Sequence, residues 1–201
     1  MEYHQIAIQV SHLIPGDLDQ IYFGERALTF ELMLGVLYRF AGPDLMIAKI
    51  ANIVLGVISV LLIVGLTRIS LDEQTARIAG ILAVLLPSQI LMTSTVASEH
   101  LFTLLMLLSL LIVVKGVMQK QTGYTWLFGA SLILGIAYTV RFIAVAVWIA
   151  VLVYLFCAGD REIKARLAGV LPFVVGFAIV VASLSGLILV THTPPSSYPG
   201  L

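Results

Sequence analysis

The chain has 201 residues, of which 60% are hydrophobic and 11% are charged, and its mean hydropathy is +1.08. Soluble domains are about 45–50% apolar and about 25% charged, so this composition excludes an ordinary soluble fold. Eleven basic residues balance eleven acidic ones, which leaves no basic excess for binding nucleic acid. The single cysteine, Cys157, excludes a disulfide framework and a cysteine-based metal site. The sequence therefore predicts an integral membrane protein.

The first 44 residues form a half-polar segment, and the composition changes near Pro43. Residues 6–14 are apolar but too few to cross a membrane, since a membrane helix needs about 20 residues. Residues 26–40 place apolar side chains at helical spacing, which predicts a helix on the membrane surface or packed over the bundle. These side chains are Leu28, Leu32 and Gly35 or Val36, followed by Arg39. We predict that residues 1–44 are an extracytoplasmic segment containing this surface helix.

Six long runs with few or no charges follow. Membrane-barrel strands alternate polar and apolar residues, and these runs do not. We therefore predict an all-α fold, a transmembrane bundle of about six membrane helices within residues 45–191. The predicted spans are residues 46–67, 78–97, 101–118, 125–140, 142–158 and 167–190. The fourth and fifth spans are short and meet at Arg141, which predicts a tight hairpin.

The basic residues give the predicted orientation, because cytoplasmic loops are enriched in lysine and arginine. With Met1 outside, the cytoplasmic loops hold most of them: Arg68, Arg77, Lys115, Lys120, Arg161, Lys164 and Arg166. Both termini are then extracytoplasmic, with residues 192–201 as an outer tail, and the short loops suit a bacterial inner (plasma) membrane. No hydrophobic helix or signal peptide precedes the outer segment, so we expect the chain to be part of a longer protein.

Two polar residues, Glu99 and His100, lie between the second and third predicted spans. A carboxylate that enters a bilayer unpaired costs up to about 3 kcal/mol. Glu99 therefore either marks an outer turn or lies at the mouth of an outward-facing cavity, where it could bind a sugar hydroxyl, a metal or a proton. The four histidines of the chain match no helical metal-binding motif.

Arg141 has no acidic residue near it in the sequence. Its guanidinium stays charged and binds phosphate oxygens through two parallel hydrogen bonds. A lipid-facing arginine is costly, so Arg141 either extends to the membrane surface or points into a polar cavity and contacts a lipid phosphate on the outer side.

Pro87 lies inside the second predicted span, where it removes a backbone hydrogen bond and interrupts the helix. The residues after it make the outer half of this span the most polar in the chain. They are Ser88, Gln89, Thr93, Ser94 and Thr95. They either form hydrogen bonds between helices or line a cavity that opens outward.

Several motifs occur in an order and spacing typical of one family. They are Tyr3-His4-Gln5-Ile6-Ala7, then Arg26 with a helix ending LYRFAGP, then ARIAGILAVLLPSQILMTSTVASEHLF and LILGIAYTVRF. Over residues 1–160 the chain resembles the GT-C glycosyltransferases that depend on polyprenyl- or dolichyl-phosphate sugars. This branch includes protein O-mannosyltransferases and aminoarabinose transferases.

The resemblance implies a membrane enzyme that transfers a hexosyl or pentosyl group from a polyprenyl-phosphate carrier to a glycan, lipid or protein acceptor on the outer face. In this family an acidic residue acts as general base, and arginines and lysines hold the carrier phosphate. Glu99 falls on the family's Ser-Glu turn, and Arg141 falls on the arginine after the fourth span. The implied catalytic acids are Glu99 and Glu2. The implied residues for binding substrate or lipid phosphate are Arg141, Arg26, His100 and Tyr3.

The chain also departs from the family's pattern. The family's key aspartate precedes the tyrosine matched by Tyr3 by about four residues, which places it upstream of Met1. The first membrane helix and most of the carboxyl-terminal half are also missing, so the resemblance implies a member truncated at both ends. A divalent metal ion is the one cofactor left open, because only some members of the class use one.

Two other functions are compatible with the sequence. The chain could be a non-catalytic subunit or degenerate remnant that packs against a second membrane protein. A small transporter is a third reading, but the predicted spans hold almost no ionisable groups of the kind that ion pathways use.

Overall fold

The computed structural model describes residues 2–12, 28–87, 95–118, 124–157 and 163–192. All regular structure within these ranges is helical, which confirms the predicted all-α class. The described helices are α1 Glu2–His12, α2 Leu28–Ala41, α3 Leu45–Ser70, α4 Glu73–Leu85, α5 Glu99–Met118, α6 Thr125–Val140, α7 Ala144–Cys157 and α8 Ile163–His192. Two of them, α3 and α5, are long and apolar enough to cross a membrane. A bundle of six spans stays a prediction.

The helix predicted over residues 26–40 is present as α2, and it packs against α1. Gly35 allows this close approach, because a Cβ there would lie 2.7 Å from the Cβ of Val10. Gly42 ends α2 with a φ of 90°, a left-handed conformation that favours glycine. Asp44 then caps α3 by accepting the Met46 N–H at 2.9 Å. The position of α2 at a membrane surface stays a prediction.

The helices α3 and α4 form an antiparallel hairpin. Asp72 caps α4 by accepting the Thr75 N–H at 2.9 Å. The helix then ends at Leu85, because Leu86 precedes a proline and has an extended conformation (φ −62°, ψ 118°). The predicted interruption at Pro87 is thus confirmed. The predicted second span, residues 78–97, stays a prediction, because residues 88–94, with four of its five polar residues, lie outside the described part.

The helices α5, α6 and α7 run up and down beside one another. Ser109 of α5 donates a hydrogen bond to the Ala130 carbonyl of α6 at 2.8 Å. The predicted hairpin at Arg141 is confirmed, since α6 ends at Val140 and α7 begins at Ala144. The last helix, α8, runs parallel to α6 and packs closely on it through glycines: Gly135 faces Val180, and Gly176 faces Ser131.

Contacts between the helices define two ends of this bundle. Ala48, Leu101 and Val140 share one buried cluster, which brings together the beginnings of α3 and α5 and the end of α6. We call this the Glu99 end. The turn between α3 and α4 lies at the opposite end, where Arg68 contacts Glu73 at 2.6 Å. We call this the Arg68 end. The described charged side chains thus lie mainly at the two ends, and the middle is apolar.

Candidate functional site

An ion pair joins the two charged residues that the sequence singled out separately. Arg141 Nη2 lies 2.8 Å from Glu99 Oε1. The side chains are 45% and 31% exposed, so a ligand can reach both. Arg141 had no acidic neighbour in sequence, and the fold supplies one from another helix. The structure therefore brings together the predicted catalytic acid Glu99 and the predicted phosphate-binding Arg141, while their roles stay predictions.

Each member of the pair also lies at a favourable helix end. Glu99 occupies the first turn of α5, where the partial positive charge of the helix attracts an acid. Arg141 is the C-cap of α6, where the partial negative charge attracts a cation. Antiparallel packing of α5 and α6 puts these two ends side by side, so local and tertiary electrostatics agree.

The residues next to the pair hold its two helices in place. Val140 and Leu101 are buried in the same apolar cluster as Phe30 of α2. The Thr29 hydroxyl contacts Thr139 Oγ1, and Thr139 donates its own proton to the Ile136 carbonyl at 2.7 Å. The start of α2 is therefore tied to the end of α6, two residues before Arg141.

His100 does not share the exposure of its neighbour Glu99. Its side chain is only 2% exposed, and no residue in the described ranges makes a hydrogen bond with its Nε2. The ring thus points into the bundle rather than toward the surface on which the ion pair lies. Its predicted role in binding substrate or phosphate stays a prediction.

The other predicted site residues lie on the amino-terminal segment. Tyr3 packs edge-on against Phe30, with ring centroids 5.5 Å apart, and so borders the cluster beside the ion pair. Glu2 begins α1, but its side chain lies outside the described part of the chain, and so does the whole of Arg26. The sequence-based roles of these three residues stay predictions.

A second polar contact joins α1 and α2 near the same end. The Tyr38 hydroxyl lies 2.8 Å from His4 Nδ1, and the tyrosine is 2% exposed. Burial and the negative charge of Asp44 raise the pKa of Tyr38 above its ordinary value. The hydroxyl therefore stays protonated at neutral pH and can donate to the histidine nitrogen.

Sequence analysis missed Asn52, a fully buried side chain of α3. Its Nδ2 donates a hydrogen bond to the Thr95 carbonyl oxygen at 2.8 Å, four residues before Glu99. The available signal was composition: Asn52 and Ser59 are the only polar residues between Ile50 and Leu66. A lone asparagine in a long apolar run indicates a specific partner.

The divalent metal ion that the resemblance left open stays a prediction. Within the described ranges, no three His, Cys, Asp or Glu side chains converge in a way that could hold a metal.

The family model for dolichyl-phosphate-mannose-protein mannosyltransferase matches residues 25–186. The chain belongs to this family. The match includes both Glu99 and Arg141 and confirms the resemblance to GT-C glycosyltransferases. No curated protein and no solved structure matches the chain. As a member of this mannosyltransferase family, the protein is a membrane-associated glycosyltransferase of the GT-C type.

Proposed function

We propose that this family member transfers a sugar from a polyprenyl-phosphate carrier to an acceptor on the outer membrane face. The observation that carries the proposal is the Glu99–Arg141 ion pair, with 2.8 Å between its charged atoms. It joins an acid and a cation at one end of an apolar bundle, and both side chains are accessible. Transfer from a phosphate carrier needs these two kinds of group.

Arg141 would act on the carrier. As the acceptor oxygen or nitrogen bonds to the anomeric carbon, the bond from that carbon to the phosphate oxygen breaks and its electrons stay on the phosphate. A fixed cation lowers the energy of this developing charge. Guanidinium has five N–H donors, so Arg141 can contact phosphate oxygens while it keeps a hydrogen bond to Glu99.

Glu99 would act on the acceptor. A carboxylate within hydrogen-bond distance of an acceptor hydroxyl or amine can orient it and take its proton as the new bond forms. In this proposal Arg141 would hold Glu99 beside the carrier phosphate, where the acceptor would approach. The distance between the two charges is short enough for one sugar to contact both groups.

The surrounding helices suit a lipid-linked donor. The α3 helix has apolar side chains that are 41–64% exposed along its length, among them Ile50, Val57, Ile58 and Leu61. Such a surface is compatible with acyl or polyprenyl chains, which have no polar groups to satisfy.

A transfer assay tests the proposal. The full chain, purified from its own membranes and reconstituted in liposomes, would be given radiolabelled polyprenyl-phosphate-mannose and candidate acceptors. We expect transfer by the wild type and its loss in Glu99→Gln and Arg141→Ala. The matched controls are Glu73→Gln and Arg77→Ala, which break exposed pairs at the Arg68 end and should leave transfer unchanged.

Two results would contradict the proposal. Normal transfer by both Glu99→Gln and Arg141→Ala would remove these residues from the site. The second result is transfer that occurs only when a second membrane protein co-purifies and that is equal for the wild type and both variants. It would identify the chain as a non-catalytic subunit.

The outer-face orientation has its own test. Cys157 is exposed at the end of α7, and α7 begins beside Arg141, so the cysteine lies toward the Arg68 end. We expect a membrane-impermeant thiol reagent to label Cys157 in inside-out vesicles and not in intact cells. Labelling in intact cells alone would invert the proposed orientation.

A further inference from the structure

The helix α3 buries very few of its residues, and the buried ones are unusual. Only 11% of its most apolar 18-residue stretch is buried, so most of the helix faces outward. The buried residues are Ala48, Asn52 and Ser59, which are small or polar. Burying an amide in apolar surroundings is unfavourable unless the amide forms hydrogen bonds. Asn52 therefore needs a reason to lie there.

The partner of Asn52 is irregular backbone. Thr95 is the first of the described residues 95–98, which are non-helical and lead into α5. Non-helical backbone within a membrane protein must find hydrogen-bond partners from neighbouring segments, because lipid provides none. The Asn52 amide meets this need by donating to the Thr95 carbonyl at 2.8 Å.

This hydrogen bond lies directly upstream of the candidate site. The stretch from Thr95 enters α5 at Ser98, which is 3% exposed and whose carbonyl accepts the Phe102 N–H at 3.0 Å. Glu99 follows in the first turn of α5. A hydrogen bond that fixes Thr95 to α3 thus limits how far the Glu99 backbone can move, whereas Arg141 is held separately by α6 and α7.

The other half of the Asn52 amide indicates that the residue does not serve α3 alone. Its Oδ1 is buried, and no described residue makes a hydrogen bond with it. A buried amide is unfavourable unless it forms hydrogen bonds, so apolar packing alone does not account for Asn52. Ser59 differs, because its hydroxyl donates to Leu55 of its own helix at 2.8 Å.

We propose that Asn52 is a positioning residue for sugar transfer: its amide holds the Thr95 carbonyl and thereby keeps Glu99 within reach of Arg141 and the acceptor. The inference rests on the proposed function. Asn52 acts through the backbone and does not touch the carrier. Its loss should therefore lower kcat and leave the KM for the carrier nearly unchanged.

The test compares Asn52→Leu, which removes the donor at similar volume, with Ser59→Ala, which removes a buried hydroxyl from the same face of α3. Asn52→Ala, which removes the donor without adding bulk, guards against a packing artefact in the leucine variant. All are made in the full chain and reconstituted in liposomes. The measurements are kcat and KM with a polyprenyl-phosphate sugar, the melting temperature, and amide hydrogen exchange of residues 95–101.

We expect Asn52→Leu and Asn52→Ala to lose roughly tenfold to hundredfold in kcat, since small misplacements of a reacting group have effects of this size. In both Asn52 variants the KM for the carrier should stay within about threefold of the wild-type value. Amide hydrogen exchange of these variants should rise in residues 95–101 and not in α7. Ser59→Ala should behave like the wild type in every measurement.

Three results would overturn the positioning role. The first is unchanged hydrogen exchange in residues 95–101 of the Asn52 variants. The second is a kcat of these variants equal to that of Ser59→Ala. The third is a loss of kcat that disappears once the rate is corrected for the protein that a lower melting temperature leaves unfolded in the assay. Because exchange needs no substrate, the two proposals fail in distinguishable ways. A wild type without transfer refutes the proposed function and, with it, any positioning role, whereas an active wild type with an equally active Asn52→Leu refutes the role of Asn52 alone.

Discussion

The two ends of the bundle each carry an acid–arginine contact, but the contacts differ in origin. At the Arg68 end, Glu73 lies 2.6 Å from Arg68 and 3.3 Å from Arg77. Arg68 is in the last turn of α3, and the other two residues are at the start of α4. Those two arginines are 67% and 74% exposed. At the Glu99 end, the pair joins the start of α5 to the end of α6, and both side chains are more buried.

This difference separates a structural contact from a functional candidate. Exposed pairs between neighbouring residues are worth about 0–1 kcal/mol and follow from local sequence. The charges of Glu99 and Arg141 meet only when α5 and α6 pack against one another, and the pair places charge where the chain is otherwise apolar. Burying part of a charged pair has a desolvation cost, so its presence favours a role beyond stability.

Exchanging the charges at each end should give the largest contrast. In Glu99→Arg with Arg141→Glu, the ion pair can form again, but the cation moves away from the proposed phosphate position. We expect transfer to fall by about 10²–10³-fold, the usual effect of losing one transition-state donor. The melting temperature should fall slightly, because each exchanged charge then lies at the unfavourable end of its helix. The control, Glu73→Arg with Arg77→Glu, should transfer within twofold of the wild type. Full activity of the first exchange would mean that only the pairing matters.

Replacing arginine by lysine sharpens the comparison at constant charge. Lysine keeps the positive charge of Arg141 but lacks the fork that binds two oxygens at once. We expect Arg141→Lys to lose about tenfold in kcat/KM for the carrier, roughly 1.4 kcal/mol, and Arg77→Lys to lose nothing. Initial rates over a range of carrier concentrations measure both. Equal rates for the two variants would indicate that Arg141 acts as a simple charge.

The Tyr38–His4 contact extends the comparison to stability. We expect Tyr38→Phe to lower the free energy of unfolding by about 1 kcal/mol, because it removes one buried hydrogen bond. The exposed Tyr154 is the matched control, and Tyr154→Phe should have little effect. Chemical unfolding in detergent measures both.

The raised pKa of Tyr38 also predicts a pH dependence. The stabilising effect is complete below about pH 10, where the unfolded tyrosine begins to ionise, and is lost as the pH rises through the higher pKa of the folded state. The decline should be smaller in Tyr38→Phe. An identical decline in the variant would assign it to other groups.

The smallest effect should come from the Arg68 end. Hydrogen bonds from the Thr75 side chain and backbone lower the pKa of Asp72. Its contribution is therefore present above about pH 4 and lost as the pH falls through the lowered pKa. We expect Asp72→Asn, which still caps α4, to remove this acid dependence while transfer stays unchanged. A strong loss of transfer would show that the two ends are coupled.

Much of the fold could be predicted because its signals are local. Hydropathy indicated helices, the spacing around Leu32 indicated α2, and the absence of a loop at Arg141 indicated the hairpin. Pro87 predicted the interruption that ends α4, because the residue before a proline is disfavoured in a helix.

The candidate site was only partly predictable, since its contacts are tertiary. The sequence showed that Glu99 and Arg141 each needed a partner, but not that they were partners of one another. That pairing depends on the antiparallel packing of α5 and α6. The Asn52–Thr95 hydrogen bond was invisible for the same reason, and the inward orientation of His100 depends on which face of α5 is covered.

The hairpin at Arg141 has a consequence for the surrounding lipid. The 16 residues of α6 and the 14 of α7 give helices about 24 and 21 Å long, whereas a typical hydrocarbon core is about 30 Å thick. For this hairpin to cross a bilayer, the bilayer beside it must be thinner, at a cost that grows with the mismatch. Short acyl chains would reduce that cost, and thinning would bring the headgroups of carrier lipids closer to the level of the guanidinium. The thickness of the host membrane thus becomes a determinant of how readily the site meets its donor.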